Sequence, residues 1–143
     1  MYRLILISCL FWLQSALAID SDELLQPEQA FQLSTDVLSN DKIKLSWQIA
    51  DGYYLYKDKF YITALTSGIT LQPAFPTAEI KEDQFFGKTE IYHDHLDVEL
   101  LITQHPSQLN KIELNISYQG CAEVGVCYLP IQKQLSINLN TNK

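Results

Sequence analysis

Glycine and proline are scarce, five of each in 143 residues, which excludes collagen-like repeats and the composition of disordered chains. Basic charge is scarce too, with ten Lys and Arg against 17 Asp and Glu and a formal charge of −7. That balance lacks the positive footprint that nucleic acid or anionic lipid requires, so neither is expected as a partner. After the first 18 residues no apolar run approaches the roughly 20 residues of a spanning helix, and no membrane span is expected. Serine-nucleophile, phosphate-loop and dinucleotide signatures are missing, and no cofactor is expected. Helical periodicity is confined to a short turn at Glu28-Gln29-Ala30-Phe31, after Pro27, where proline suits a first helical position.

Cysteine is also rare, three in all. The odd count resolves at the N-terminus, where Arg3 is followed by the apolar run Leu4 to Leu13, which contains Cys9, and then by Ala16-Leu17-Ala18. This is the anatomy of a secretory signal peptide over residues 1–18. Its removal leaves one domain, residues 19–143, with Cys121 and Cys127. Export and an even count fit an oxidising compartment in which a disulfide persists. A domain of this length buries roughly two thirds of its unfolded surface, so it needs no staple to fold.

What is present is two-residue alternation. Ile43, Leu45, Trp47 and Ile49 alternate with Lys44, Ser46 and Gln48, the pattern of a strand with one buried face. The same period recurs at Phe60, Ile62 and Ala64, at Leu96, Val98 and Leu100, at Ile112, Leu114, Ile116 and Tyr118, and at Leu135, Ile137 and Leu139. Turn signals such as Asp51-Gly52, Ser67-Gly68 and Phe86-Gly87 separate these runs. Short strands at this spacing predict an all-β antiparallel sandwich or barrel. The polar tail from Asn138 to Lys143 reads as a frayed end or the start of a linker.

Cys121 and Cys127 lie in Tyr118-Gln119-Gly120-Cys121-Ala122-Glu123-Val124-Gly125-Val126-Cys127-Tyr128-Leu129-Pro130, between two strand patterns, which places them at a hairpin tip. Gly120 and Gly125 let the chain fold back to the Cα separation that a disulfide needs. Two readings follow. A local bond stiffens the hairpin, or an exposed bond exchanges with another protein's thiolate through a mixed disulfide. Spacing alone does not choose between them. The only charge in the segment is Glu123, so no local cation stabilises a thiolate. His93, His95 and Asp97 alternate and read as a solvated face rather than a metal site, and the sequon Asn115-Ile116-Ser117 lies within a strand.

The segment from Tyr118 to Pro130 resembles the N-terminal periplasmic domain of the thiol:disulfide interchange protein DsbD. Three further stretches are similar to that family: Asp51-Gly52-Tyr53-Tyr54-Leu55-Tyr56-Lys57, an aromatic segment; Glu82-Asp83-Gln84-Phe85-Phe86-Gly87-Lys88-Thr89-Glu90-Ile91-Tyr92, a cap loop and the strand after it; and Pro27-Glu28-Gln29-Ala30-Phe31, an opening segment. The resemblance implies an immunoglobulin-like antiparallel β-sandwich in the periplasm. It would take electrons from a thioredoxin-like donor domain and pass them to periplasmic oxidoreductases, among them a disulfide isomerase and the oxidoreductases of cytochrome c maturation. It implies protein-disulfide reductase chemistry, in which Cys127 forms the mixed disulfide and Cys121 resolves it. It further implies that the cap loop Asp83, Gln84, Phe85, Phe86 and Gly87 shields the pair, with Phe85 as the lid and Gly87 as its hinge, and that Tyr54 and Tyr56 pack near the cysteines. The family commonly has two adjacent acids where this chain has Asp83 and Gln84, and one carboxylate fewer weakens like-charge pressure against a thiolate.

Two other functions are compatible with the same sandwich. One is a binding or adhesion module with a purely structural disulfide. The other is a metal-delivery domain using the two cysteines and a histidine.

Overall fold

Alternating apolar residues bury one face of each strand, and the computed structural model, which describes residues 24–140, shows how those faces meet. The expected signal peptide and cleavage site, with Cys9, lie outside the described residues, as do residues 141–143. The chain opens with one helical turn, α1 (Pro27–Ala30), with proline in its first turn as the sequence predicts. Twelve strands follow: β1 (Phe31–Ser39), β2 (Lys42–Ile49), β3 (Tyr53–Tyr56), β4 (Tyr61–Ala64), β5 (Thr70–Ala74), β6 (Glu79–Asp83), β7 (Gly87–Tyr92), β8 (His95–Gln104), β9 (Lys111–Tyr118), β10 (Gly120–Ala122), β11 (Val126–Cys127) and β12 (Ile131–Asn138). The five strands read from alternation are β2, β4, β8, β9 and β12.

All strand pairings are antiparallel. They form sheets of order β1-β2-β8-β5, β11-β10-β3-β7-β6 and β12-β9-β4, and the whole is the immunoglobulin-like β-sandwich expected from the sequence. The main core joins Ile43, Leu45, Trp47 and Ile49 of β2 and Leu96, Val98 and Leu100 of β8 to Ile112, Leu114, Ile116 and Tyr118 of β9. Trp47 sits edge-on to Tyr118 at 5.6 Å and to Phe60 at 5.1 Å. Burial of so many large side chains, at about 25 cal/mol per Å² of apolar surface, supplies the core without a staple.

Regular structure extends further into the tail than its polarity predicts. Asn138 still belongs to β12, and Leu139 is buried, with its amide donating to the Asn110 carbonyl at 2.8 Å. One more apolar side chain on the core face outweighs the polar residues around it.

Strand β3 positions the site. Tyr53 and Leu55 point into the main core, whereas Tyr54 and Tyr56 point the other way and form a second, smaller core with Ile91 and Cys121. The side chains of β3 thus alternate between the two cores, and both of its faces are covered.

Candidate functional site

The chain leaves β9 after Tyr118 and switches sheets before returning in β12, so the cysteines occupy a short hairpin, β10–β11, laid against β3. The switch depends on Gly120. A Cβ there would stand 2.5 Å from the Tyr54 carbonyl oxygen and 2.5 Å from Phe31 Cζ, so only glycine permits this approach. The turn closes with the Gly125 amide donating to the Ala122 carbonyl at 3.0 Å, and Gly125 takes φ +96°, the left-handed conformation that ends a three-residue hairpin loop.

Cys121 and Cys127 are direct cross-strand partners with Cα atoms 4.0 Å apart, and they are joined as a disulfide. Their surroundings differ. Cys121 is fully buried opposite Tyr54, whereas Cys127, on the edge strand β11, is only half-buried. A thiolate arriving from solvent therefore meets Cys127 first.

Beneath the bond lies a polar cluster. The Tyr56 hydroxyl oxygen is 3.1 Å from Cys121 Sγ and 3.8 Å from Cys127 Sγ. Both tyrosine hydroxyls donate to Asp83 Oδ2, Tyr54 at 2.5 Å and Tyr56 at 2.8 Å. Asp83 Oδ1 accepts from the amides of Phe85 at 2.6 Å and Phe86 at 3.0 Å. Burial opposes the charge on Asp83, but these four donated hydrogen bonds outweigh it and hold the carboxyl below its ordinary range. Burial first, and then donation to Asp83, pushes Tyr54 up to about 12. Burial likewise drives Tyr56 far upward, with its neighbours Tyr54 and Asp83 adding to the effect. Both phenols are neutral donors at any physiological pH.

The cap loop connects β6 to β7 and is anchored by Asp83, with Gly87 at φ +70° where β7 begins. Phe86 rests edge-on against Tyr56 at 5.0 Å, and Lys59 Nζ lies 4.4 Å above the outer ring. Phe85 lines an adjacent cleft of about 250 Å³ with Tyr54, Lys81, Ala122 and Gly125. The two rings are similarly exposed, 45% and 46%. The side chain of Gln84 reaches the hairpin, where a Cβ on Gly125 would lie 2.9 Å from its Nε2. The sequence places both phenylalanines in the cap, but which ring meets the tyrosines emerges only from the structure.

Three side chains at this site were not singled out for it by the sequence. Lys81 Nζ pairs with Glu123 Oε2 at 2.8 Å and lies 5.0 Å from the centre of the Tyr54 ring. Tyr128, next to Cys127, donates to the Leu25 carbonyl at 2.5 Å and stacks on Tyr53, whose hydroxyl accepts from the Leu25 amide at 2.9 Å. His93, expected on a solvated face, instead touches Glu79 and Glu123. His95 bonds Asp97 at 2.8 Å. Among the described residues no cluster of three or more His, Cys, Asp or Glu could hold a metal, and no helix is long and apolar enough to cross a membrane.

Comparison with known proteins agrees with this geometry. The family profile described as "Thiol:disulfide interchange protein DsbD, N-terminal" matches residues 21–139. The chain is 38% identical over 125 residues to the DsbD protein of Neisseria meningitidis serogroup A, covering 87% of this chain and 20% of that protein. It is 42% identical over 120 residues to the DsbD protein of Actinobacillus pleuropneumoniae, covering 83% of this chain and again 20% of the relative. The chain thus spans about one fifth of the length of these relatives. Among solved structures, the reduced DsbD N-terminal domain of Neisseria meningitidis superposes with a TM-score of 0.70 at 34% identity, over 85% of this chain and 95% of that one. The same organism's complex between DsbD and PilB N-terminal domains gives 0.68 at 35% identity, over 80% and 87%.

Proposed function

The chain belongs to the family of DsbD N-terminal domains, and from that premise we propose that it is a thiol:disulfide relay module serving one step of a larger protein-disulfide reductase. The observation that carries this reading is the asymmetry of the pair, with Cys127 half-buried on an edge strand and Cys121 sealed behind it. In the loading direction, a donor thiolate attacks Sγ of Cys127. A donor–Cys127 disulfide forms, Cys121 leaves as thiolate and takes a proton, and the donor's second thiol releases the domain with both cysteines reduced. In the delivering direction, the Cys127 thiolate attacks a client disulfide and the first client sulfur leaves. Cys121 then attacks Cys127, restoring the internal bond and freeing the client as a dithiol. Two electrons and two protons move in each direction, and no cofactor takes part.

The donor is a thioredoxin-like domain, and the clients are periplasmic oxidoreductases, including a disulfide isomerase and those of cytochrome c maturation. The solved complex of a related DsbD domain with a PilB domain supports partners of this kind. Residues 1–18 act as the export signal, and the domain works in the periplasm. The cap loop Asp83, Gln84, Phe85, Phe86 and Gly87 shields the bond between encounters, and Tyr54 and Tyr56 form its floor. Docking displaces the cap over an interface below about 1,200 Å², as transient redox contacts do.

Trapping tests the roles. Cys121→Ser should accumulate a partner-linked mixed disulfide, whereas Cys127→Ser should not, and the opposite pattern would reverse the assignment. Equilibration in thiol buffers tests the module itself. A potential below about −300 mV, with no transfer to a partner, would leave only a structural bond.

A further inference from the structure

His93 occupies the two-residue junction between β7 and β8, beside Asp94, whose φ of 59° makes the reversal. Its ring faces the cysteine hairpin. Nδ1 lies 3.2 Å from Glu79 Oε2 on β6, and Nε2 lies 2.8 Å from Glu123 Oε1 in the loop between the two cysteines. The ring is also edge-on to Tyr54 of β3 at 5.9 Å. The other oxygen of Glu123 is held by Lys81 Nζ at 2.8 Å. Glu79, Lys81, Glu123 and Tyr54 are therefore the titratable groups facing this ring across the neighbouring elements, with Asp94 its neighbour in the chain.

Carboxylates only accept hydrogen bonds. A neutral imidazole has one N–H and can satisfy one of the two, while the imidazolium satisfies both. Burial works against the charge, but the bonds to Glu123 and Glu79 overcome it and raise the proton affinity of His93. Lys81 and His93 in turn hold Glu123 below the ordinary carboxylate range, the Lys81 bond being the largest influence.

The position of these contacts gives them consequence. The hairpin tip has a backbone tie from the Glu123 amide to the Gly52 carbonyl at 2.8 Å and its own turn bond at Gly125. The Glu123 side chain is what joins it to Lys81 of β6 and to His93 just beyond β7, the two strands that carry the cap loop. Gln84 of the cap in turn lies over Gly125.

We propose that His93 is a positioning residue, a proton-dependent pin that when protonated bridges Glu79 and Glu123 and holds the cysteine hairpin to the arm bearing the cap. Loss of the proton forfeits one of the two bridges and loosens the hairpin tip against the cap. Exchange at Cys127 is then better guarded at low pH than at high pH. Its bearing on exchange rests on the relay reading, but its bearing on the hairpin does not.

Amide hydrogen exchange at Glu123 and Gly125, followed from pH 5 to 8.5 on the whole chain in its disulfide form, tests the pin. His93→Arg is the control, because its charge is permanent and its guanidinium can serve both carboxylates. The ratio of wild-type to His93→Arg protection should fall by about twofold to fivefold across the titration of His93, the size expected of a partly exposed ion pair. The His93 ring resonances should titrate at lower pH in Glu123→Gln than in wild type. A protection ratio that stays flat with pH, or a His93 midpoint unmoved by Glu123→Gln, overturns the proposal. Failure of the relay reading would look different, with no partner-linked species in the trapping experiment while the protection step persists.

Discussion

The Tyr56 hydroxyl gives its one proton to Asp83, 2.8 Å away, and so turns lone pairs rather than a donor toward Cys121 Sγ at 3.1 Å. The reduced pair inherits this polarity. A Cys121 thiol can donate to Tyr56, but a thiolate in the same place would face oxygen lone pairs with a buried carboxylate behind them. The cluster therefore favours the protonated, unreactive sulfur for as long as this arrangement holds. The same carboxylate anchors the β6–β7 loop by accepting from the amides of Phe85 and Phe86.

Asp83→Asn should release that constraint. The asparagine side chain still accepts from the cap-loop amides, but the negative charge facing the sulfurs is gone. Removing a like charge at this range shifts a thiol–thiolate balance by about one unit. The reduced variant should therefore react with a small alkylating reagent at neutral pH about tenfold faster than wild type. A rate ratio near one would place the restraint on reactivity elsewhere.

The same carboxylate gives stability a pH dependence of known sign. Asp83 has its native proton affinity lowered, so its contribution is complete above the unfolded value of about 3.9 and is lost as pH falls through the native one. Asp83 is 5% exposed and accepts four hydrogen bonds. Losing the charged acceptor should cost about 1 to 3 kcal/mol. Urea unfolding of wild type and Asp83→Asn should show a gap of that size at pH 7, constant down to about pH 5 and closing below about pH 4. A gap that widens in acid would contradict the assignment.

Some of this was legible in the residues and some was not. Strands β2, β8 and β9 are central in their sheets and bury one face, so Trp47, Val98 and Leu114 appear in clean alternation. Edge position alone does not decide legibility, since β4 and β12 are edge strands that still alternate; at the edge strand β6 most side chains are exposed, which leaves Glu79-Ile80-Lys81-Glu82 without a buried stripe. Strand β3 failed for the opposite reason, since both its faces are buried and Tyr53-Tyr54-Leu55-Tyr56 has no polar alternation to read. The cysteine hairpin could be placed between two strands, but its transfer to the sheet of β3 depends on the meeting of Gly120, Phe31 and Tyr54. His93 and Glu123 are 30 residues apart, and no spacing rule connects them.

Both phenylalanines of the β6–β7 loop should slow access to the reduced pair. Phe86 covers Tyr56 directly, whereas Phe85 lines the cleft beside Ala122 and Gly125. Phe86→Ala removes the ring packed edge-on against Tyr56 and should speed alkylation of the reduced pair severalfold. Phe85→Ala should do the same if that ring closes the cleft as a lid. Both rings are about half exposed, so neither change should lower the urea midpoint appreciably. Equal, unaltered alkylation rates in both variants would remove the shielding role from the loop.

Gly120→Ala tests the sheet switch that brings the cysteines to β3. The added methyl would meet the backbone carbonyl oxygen of Tyr54 and the Phe31 ring, each at 2.5 Å. Phe31 is fully buried against Tyr53, Tyr118 and Tyr128 and has no open side to turn toward. The Tyr54 carbonyl is fixed by the pairing of β3 with β10. Overpacking of this kind costs about 1 to 3 kcal/mol, and here relief requires β10 to lift from β3. The variant should unfold at lower urea with an unchanged m-value. Its disulfide should also be reduced faster, because Cys121 loses its cover as β10 lifts. A variant with wild-type stability and wild-type reduction rate would show that β10 does not depend on this close approach.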